Sequence, residues 1–272
     1  METETEVETR KLLLKKDRKL PGDLRVMSAM LPVPAKDMPP DFRVYEEPIT
    51  DQDGVGLCFG FAAARSFGVT YQGRGRPPVM FSPMFVGNVT RDMEGSLSED
   101  AGASLGDAFD CLVQYGIVPE TEFPFDPQGI YAMPPDNVMA AALDYQALQR
   151  YRLPIQVPLI KQTLCSGFAV AFGTDVYKEF MTVGRDGRVP NPNPATSEFE
   201  GRHALVFTGW DDNFLNLDGT KGALRFANSW GIGKWSEDGF GWLSYQYAAI
   251  PGILSDLQVV SKTEIGRPLN GK

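Results

Sequence analysis

The sequence predicts an α+β protein, because segments with helical spacing of apolar residues come first and strand-like runs come second. In the first part of the chain, apolar residues recur every three or four positions between proline- and glycine-rich turns. In the last part, short apolar runs rich in β-branched and aromatic residues are typical of strands. This order favours the α+β class over a regular alternation of strands and helices.

Four helices are predicted, at residues 58–71, 104–115, 137–147 and 157–166. The first begins at Cys58, directly after a glycine-containing loop, and contains three consecutive alanines. The second has apolar residues at positions i, i+3, i+4 and i+7 and is followed by Gly116, a residue that commonly ends helices. The thiol of Cys58 should therefore face the positive end of a buried helix.

Three strands are predicted, at residues 168–172, 204–208 and 223–227. The polar segments 210–213 and 217–219 are predicted to form the hairpin connection between the second and third strands, because Asp, Asn and Gly favour turns. Their spacing does not match a calcium-binding EF-hand loop. Residues 1–37 mix charge runs with prolines and predict an extended arm instead of a domain.

Composition excludes several classes of function. The chain has 272 residues, 43% of them hydrophobic, enough for one large core or two lobes that share a cleft. Its 35 acidic and 26 basic residues give a net charge of −9, which argues against nucleic-acid or anionic-membrane binding and permits attraction of basic substrates. No apolar stretch reaches the roughly 18 residues that a membrane span needs.

The expected location is cytoplasmic, because the acidic amino terminus has no apolar segment of a secretion signal. Export by a signal-less route, as an effector, stays open. The 3 cysteines are too few for a disulfide framework, and we expect all of them to be reduced. Cys111 and Cys165 are interpreted as small buried hydrophobes.

The single histidine, His203, restricts any imidazole-based mechanism to one residue. Cys58 lies upstream of it, and Asn228 lies downstream in an Asn-Ser-Trp-Gly segment. Gln52, shortly before Cys58, offers an amide that could stabilise an oxyanion together with the Cys58 backbone N–H. The four residues predict a thiol nucleophile, its base, the orienter of that base and an oxyanion donor.

In order and in flanking sequence, these positions resemble the papain-like cysteine peptidases over about residues 39–260. The matching flanks are Asp51-Gln52 before a Gly-x-Cys-aromatic element, Asn228-Ser229-Trp230-Gly231 followed by Gly239-Phe240, and Pro40-Asp41-Phe42-Arg43, which is similar to the family's mature start. Gly102-Ala103-Ser104 and the segments Phe172-Gly173 and Val176-Tyr177 look most like prokaryotic members.

The resemblance implies a papain-like two-lobed fold, with a helical lobe, a β-rich and barrel-like lobe, and the active-site cleft between them. It places the catalytic domain at 38–262, with the helical lobe at about 50–147 and the β-rich lobe at about 148–262. Residues 1–37 remain an arm and residues 263–272 a tail.

The same resemblance implies the role of each site residue. Cys58 would attack the scissile carbonyl, His203 would transfer protons, Asn228 would orient the imidazole and Gln52 would complete the oxyanion hole. Gly102 and Trp230 would border the substrate. The implied partner is a protein or peptide substrate, and no metal or organic cofactor is needed.

Three departures from the family pattern bear on mechanism. Val55 stands where many secreted members have a cysteine, so that disulfide cannot form. Arg202 precedes His203, and its guanidinium would disfavour imidazolium unless the side chain points away. Lys234 and Ser236 alter the usual glycine spacing after Trp230.

The 37-residue arm does not resemble a long helical prosegment, so we expect restraint by an arm over the cleft or by a separate inhibitor or immunity protein.

Three other functions are compatible with parts of the pattern. A papain-like fold could bind peptides with little turnover, and the acyl-enzyme could transfer its acyl group to an amine instead of water. A zinc site could use the 3 cysteines and the histidine, but no two cysteines are closely spaced as zinc sites require.

Overall fold

The chain folds into helices packed against one large antiparallel sheet. The computed structural model describes residues 10–18, 37–44, 48–260 and 263–265. Its helices are α1 Cys58–Gly73, α2 Pro83–Met93, α3 Leu105–Gln114, α4 Asp136–Ala141, α5 Val157–Cys165, α6 Lys178–Met181 and α7 Tyr245–Ala249. None of the described helices is long and apolar enough to cross a membrane.

The strands of the described residues form two sheets. They are β1 Asp41–Arg43, β2 Tyr145–Ala147, β3 Arg150–Arg152, β4 Val170–Tyr177, β5 Phe199–Leu215, β6 Lys221–Ala227, β7 Phe240–Ser244, β8 Leu254–Val260 and β9 Thr263–Ile265. The large sheet has the order β3-β8-β4-β5-β6-β7, and β1 also pairs with β5. Strands β2 and β9 form a separate antiparallel pair.

Helix α1 lies at the boundary between the helices and the large sheet. Its residues from Cys58 to Tyr71 are all buried, and it contacts both α2 and β5. Leu57, at the N-cap position, makes no side-chain capping bond, so the first backbone N–H groups of α1 are left for other partners. The contact with β5 brings the start of this helix beside the strand that carries His203.

The close contact between α1 and α2 depends on Gly60. A Cβ atom at this position would lie 2.6 Å from the Pro83 carbonyl oxygen and 3.2 Å from the Gly87 nitrogen, both backbone atoms that cannot rotate away. We therefore expect Gly60→Ala to lower the free energy of unfolding, since overpacking costs about 1–3 kcal/mol and alanine gains only about 1 kcal/mol over glycine in a helix. Urea unfolding measures the change. Asp92→Ala, on the exposed side of α2, is the control and should shift stability by less than about 0.5 kcal/mol.

The predicted α+β class is confirmed, and most predicted elements are found close to their expected bounds. The helices expected at 58–71, 104–115 and 157–166 correspond to α1, α3 and α5. The strands expected at 204–208 and 223–227 lie in β5 and β6, and the strand expected at 168–172 overlaps β4, which begins at Val170. Ser104 is the N-cap of α3, with its hydroxyl accepting a hydrogen bond from the Asp107 N–H at 3.0 Å.

The helix predicted at residues 137–147 is wrong in its second half. Helix α4 ends at Ala141, a short 3₁₀ helix covers Ala142–Asp144, and the chain then enters β2. The cause is tertiary, because the Ile117 N–H donates to the carbonyls of both Ala142 and Tyr145, at 3.2 and 3.0 Å. Because they accept from Ile117, these two carbonyls do not continue the hydrogen-bond pattern of the helix.

The predicted hairpin connection is also partly wrong, since residues 210–213 belong to β5. Trp210 pairs with Leu224 on one side and with Phe42 of β1 on the other, and the Phe42 and Trp210 rings stack with centroids 5.1 Å apart. These neighbours on both edges keep the polar segment extended. The turn begins only at Asn216, whose carbonyl accepts from the Gly219 N–H at 3.0 Å.

Helix α2 was not predicted, although its start has a recognisable signal. Ser82 is the N-cap, its hydroxyl accepts a hydrogen bond from the Phe85 N–H at 3.0 Å, and Pro83 occupies the first helical position. The arm and lobe boundaries stay predictions. Residues 1–9, 19–36 and 266–272 of the expected arm and tail lie outside the described residues.

Candidate active site

Cys58 is the first residue of α1 and lies where this helix meets the large sheet. Its side chain is fully buried, and the backbone N–H of Ala204 on β5 donates a hydrogen bond to its sulfur. Burial raises the pKa of the Cys58 thiol to about 12, although three backbone N–H groups and the charge of Arg202 act in the opposite direction. In this structure Cys58 is therefore a neutral thiol.

His203 on β5 is oriented by Asn228, which follows the end of the neighbouring strand β6. The distance between His203 Nε2 and Asn228 Oδ1 is 2.9 Å. An amide oxygen only accepts, so Nε2 donates this bond and the neutral ring carries its proton there. The other ring nitrogen, Nδ1, has no hydrogen-bond partner among the described residues and is then an acceptor. The ring can take up a proton at Nδ1 while Asn228 keeps its orientation.

Trp230 covers the bond between His203 and Asn228. Its ring stacks on the imidazole with centroids 4.7 Å apart and 27° between the planes, and Trp230 is itself buried. The Ser229 N–H donates to Asn228 Oδ1 at 2.8 Å, which fixes the amide. Excluding water from this bond strengthens it electrostatically.

The pKa of His203 is lowered to about 4. Burial is the largest cause, the hydrogen bond to Asn228 opposes it, and the positive charge of Arg10 adds to the lowering. A covered site with a neutral thiol and a neutral imidazole is chemically at rest, because the nucleophilic form of cysteine is the thiolate.

The side chain of Arg202 points away from the imidazole. Its Nε atom donates to Asp175 at 2.9 Å, and its Nη2 atom contacts Ser255 and lies 3.5 Å from Asp256. Arg202 lowers the pKa of Cys58 and is absent from the causes of the His203 shift. The guanidinium therefore favours the thiolate without opposing the imidazolium.

Gln52 is fully buried in the loop before α1 and is held by hydrogen bonds to Ser229 and Val55. Its backbone N–H donates to the Ser229 carbonyl at 2.8 Å, and its side-chain oxygen accepts from the Ser229 hydroxyl at 2.6 Å. Its Nε2 donates one hydrogen to the Val55 carbonyl at 2.7 Å. The second Nε2 hydrogen stays available for another acceptor.

The described part of the arm, residues 10–18, passes over this site. The Leu14 N–H donates to the Arg202 carbonyl at 3.2 Å, next to His203, and the Lys15 N–H donates to the Ala103 carbonyl at 3.1 Å. Both Cys58 and His203 are fully buried. Of the two restraints expected from the sequence, an arm over the cleft agrees with this path, and a separate inhibitor protein stays a prediction.

The structure brings the sequence-predicted residues into one region. Gln52, Ser229 and Asn228 are linked by hydrogen bonds, Trp230 stacks on His203, and the arm crosses Gly102, where a Cβ atom would overlap the Leu13 carbonyl. Cys58, at the start of α1, also belongs to this region, because its sulfur accepts a hydrogen bond from the Ala204 N–H. Among the described residues, no three His, Cys, Asp or Glu side chains form a group that could hold a metal ion.

Two contributors to the site, Ser229 and Arg10, were not predicted from the sequence. Ser229 was present within the Asn-Ser-Trp-Gly segment, and its hydroxyl could have been recognised as a possible partner for a nearby amide. Arg10 had no usable signal, because its contact with Trp230, 5.6 Å from guanidinium carbon to ring centroid, joins residues at opposite ends of the chain.

Comparisons with known proteins agree with this architecture. No protein-family model matches the chain. A curated peptidase C1-like protein of Acanthamoeba polyphaga mimivirus, described as uncharacterized, is 27% identical over 223 residues, which is 78% of this chain and 69% of that protein.

Solved structures of cysteine proteases are similar over nearly the whole chain. Xylellain from Xylella fastidiosa superposes with a TM-score of 0.81 and 23% identity, covering 95% of this chain and 99% of the other. Procathepsin B from Trypanosoma congolense gives 0.69 and 18%, covering 95% and 87%. The protease and lectin-like domains of Cwp84 from Clostridium difficile give 0.71 and 18%, covering 90% and 54%.

These similarities confirm the predicted papain-like fold. The resemblance to prokaryotic members is supported by the matches to Xylella and Clostridium proteins.

Proposed function

We propose that this chain, whose fold is that of the papain-like cysteine peptidases, is itself a cysteine peptidase that hydrolyses peptide bonds with Cys58 as nucleophile. The observation that carries the proposal is the orientation of His203 by Asn228 at 2.9 Å, under Trp230 and next to the strand residue that contacts the thiol. A base with a fixed ring and an acceptor Nδ1 is what a thiol nucleophile needs.

The reaction begins with proton transfer from Cys58 to His203 Nδ1. The thiolate attacks the scissile carbonyl carbon, forming a carbon–sulfur bond and an oxyanion. As the carbon–nitrogen bond breaks, the imidazolium gives its proton to the leaving amine, and a thioester remains on Cys58. His203 then takes a proton from water, which attacks the thioester and releases the acid and the thiolate.

The thiolate–imidazolium pair of this mechanism forms when water or a polar substrate reaches Cys58 and His203, because burial disfavours both charges. Asn228 accepts from Nε2 in both the neutral and the protonated ring, so the imidazole can gain a proton without turning. Arg202 and the positive end of α1 both favour the thiolate. In the covered state burial outweighs these contributions.

The oxyanion is stabilised by the side-chain amide of Gln52 and the backbone N–H of Cys58. The Ser229 hydroxyl donates to the oxygen of this amide, and the amide nitrogen donates to the Val55 carbonyl, which leaves one Nε2 hydrogen for the oxyanion. Because Cys58 is the first residue of α1, its N–H is among those without an intrahelical partner. A donor preorganised in this way costs little reorganisation when the charge develops.

We expect Gln52→Ala to lower kcat by about 10²–10³-fold, because removing one oxyanion donor typically costs about 2.7–4 kcal/mol of barrier. Ser229→Ala should give a smaller decrease, since the Gln52 amide remains but loses a bond that orients it. Initial rates on a quenched fluorescent peptide measure both. Gln128→Ala, at an exposed glutamine, is the matched control; equal rates for it and Gln52→Ala would remove Gln52 from the mechanism.

Labelling with a thiol-directed epoxide tests the proposed nucleophile. Mass-spectrometric mapping should find the label on Cys58 in preference to Cys111 and Cys165, and Cys58→Ala should remove it. Equal labelling of wild type and Cys58→Ala would show the assignment to be wrong. Micromolar peptide affinity without detectable turnover would favour the alternative of a peptide-binding module.

Acyl transfer is separated from hydrolysis by adding an amine acceptor. Both reactions share the thioester, so they differ only in whether water or an amine attacks it. A hydrolase yields mainly the free acid at millimolar amine concentrations. A dominant amide product at those concentrations would assign the chain to the transferases instead.

A further inference from the structure

The peptide group between Val55 and Gly56, the 55–56 peptide, lies between the oxyanion donor Gln52 and the segment before α3. Its carbonyl accepts a hydrogen bond from Gln52 Nε2 at 2.7 Å, and its N–H donates to Asp100 Oδ1 at 2.9 Å. In a planar trans peptide these two groups point in opposite directions. Gln52 and Asp100 are therefore bonded to opposite sides of one rigid unit.

The turn before this peptide is closed on itself. The Val55 N–H donates to the Gln52 carbonyl at 3.1 Å, and Asp53 and Gly54 between them have φ values of 48° and 73°. Two consecutive positive φ values with this hydrogen bond are typical of a type I′ turn. Such a turn fixes its own shape, but its position on the protein depends on hydrogen bonds to other segments.

The two ends of the Gln52 amide are held by different segments. Ser229 fixes the oxygen end, because its hydroxyl donates to Gln52 Oε1 at 2.6 Å. The nitrogen end is fixed by the Val55 carbonyl, whose direction is set by the bond from the same peptide to Asp100. The nitrogen carries the hydrogen that is available for the oxyanion, so the bond to Asp100 bears on the donor itself.

Asp100 is a nearly buried carboxylate whose two oxygens have different partners. Its side chain is 8% exposed, and Arg91 Nη1 lies 3.8 Å from the Oδ1 atom that accepts from Gly56. Its Oδ2 atom contacts the Nζ atom of Lys11. The carboxylate is thereby oriented from both sides, with Oδ1 turned toward the loop before α1.

Arg91 ties Asp100 to helix α2. Its side chain has no solvent exposure, its Nη2 atom donates to Asn88 Oδ1 at 2.9 Å and also contacts the Ile130 carbonyl. Burial lowers the pKa of Arg91, and the charge of Asp100 opposes this lowering. Because α2 packs on α1, the residues that support Asp100 belong to the same group of helices as Cys58.

We propose that Asp100 is a positioning residue that orients the 55–56 peptide and, through it, the Gln52 amide toward the oxyanion. The proposal rests on the proposed function of Gln52 and adds what holds that donor in place. Without Asp100 the peptide plane can rotate, and the Val55 carbonyl then no longer fixes Gln52 Nε2. Because the bond to the oxyanion forms only in the transition state, the loss should fall on kcat and not on KM.

The test compares Asp100→Asn with Asp100→Leu. Both changes remove the charge and keep a branched side chain, but only asparagine has an oxygen that can accept from the Gly56 N–H. We expect Asp100→Leu to lower kcat by about 10- to 100-fold with KM unchanged, and Asp100→Asn to keep kcat within about threefold of wild type. Initial rates on a quenched fluorescent peptide measure both constants. Glu99→Gln, at the exposed neighbouring acid, is the control and should change neither.

A double variant shows whether Asp100 acts through Gln52. In Gln52→Ala no side-chain amide remains to be oriented, so adding Asp100→Leu should lower kcat by less than about twofold more. If Asp100→Leu lowers kcat by the same factor in Gln52→Ala as in wild type, the proposal is overturned. Equal losses in Asp100→Asn and Asp100→Leu would also overturn it, because the charge would then matter instead of the acceptor.

Amide hydrogen exchange, followed by NMR, detects the same contact without an activity measurement. The Gly56 N–H should exchange at least tenfold faster in Asp100→Leu than in wild type and stay protected in Asp100→Asn, and the Gln52 Nε2 hydrogens should follow the same order. The Ala63 amide, in the buried middle of α1, is the reference and should be unchanged. If Asp100→Leu does not fold, a Gly56 amide that exchanges in wild type like that of an unstructured peptide would still overturn the proposal.

The outcomes distinguish this proposal from that of the peptidase. Faster exchange at Gly56 and Gln52 in Asp100→Leu, without Cys58-dependent hydrolysis by wild type, would retain the positioning of Gln52 and reject the peptidase. Cys58-dependent hydrolysis with equal kcat in wild type and Asp100→Leu would reject the role of Asp100 and retain the peptidase.

Discussion

Replacing Cys58 with alanine is expected to lower kcat for peptide hydrolysis by about 10⁶-fold. The loss is large because no second nucleophile stands at the start of α1, and without the thiol no thioester can form. Steady-state rates on a fluorescent peptide, measured for the wild type and for Cys58→Ala, give the comparison.

Cys111→Ala is the matched control for this prediction. Cys111 is fully buried on α3, and burial raises the pKa of its thiol to about 12 as well. Position distinguishes the two cysteines, since Cys111 lies inside a helix and contacts Thr90 instead of the β5 backbone. Cys111→Ala should keep the hydrolysis rate. If it is inactive while Cys58→Ala is active, the assignment of the nucleophile is wrong.

Replacing His203 with alanine is expected to cause a loss of similar size, about 10⁶-fold in kcat, because base and nucleophile act as a unit. His203 is the only histidine in the chain, so no second imidazole can substitute for it. The fold should survive, because Trp230 still packs against Phe180 and Trp235, with ring centroids 5.7 and 6.0 Å away. Hydrolysis rates and thermal unfolding, measured on the same preparation, check both parts.

The double variant Cys58→Ala/His203→Ala provides the internal control. Since the two residues act in one step, the double variant should be no slower than either single variant. Independent contributions would instead multiply. An active His203→Ala variant would show that proton transfer uses another group, and the role given to the Asn228 bond would then have no support.

Most of the site could be predicted because its chemistry restricts residue types. A single histidine, a cysteine after a glycine-containing loop and an asparagine before Ser-Trp-Gly left few assignments, and the structure brings His203 and Asn228 to hydrogen-bonding distance. Helix α1 was predictable because the spacing of its apolar residues and the glycine-containing loop before it both indicate the buried helix that begins at Cys58. In these cases local sequence and tertiary packing favour the same conformation.

The parts that could not be predicted depend on contacts between distant residues. The helical pattern of residues 137–147 gives way to β2 because the Ile117 N–H and strand β9 compete for its backbone. The direction of the Arg202 side chain depends on Asp175 and Asp256, which the sequence does not place beside it.

The path of the arm shows the same limit. Asp17 looks like one charge within a run of charged residues, which ordinarily predicts a solvated segment. Its burial requires Arg152 and Gln258, both far away in the chain. A local pattern cannot show that a charged residue is buried beside distant partners.

Mass spectrometry of the protein, quenched in acid during hydrolysis of an activated peptide ester, shows whether an acyl-enzyme forms on Cys58. With a good leaving group, acylation outpaces deacylation and the covalent intermediate accumulates. We predict a mass increase equal to the acyl group, mapped to Cys58 and absent from Cys58→Ala. Enzyme-dependent hydrolysis with no adduct, or with the adduct on Cys111 or Cys165, would show that Cys58 is not the nucleophile.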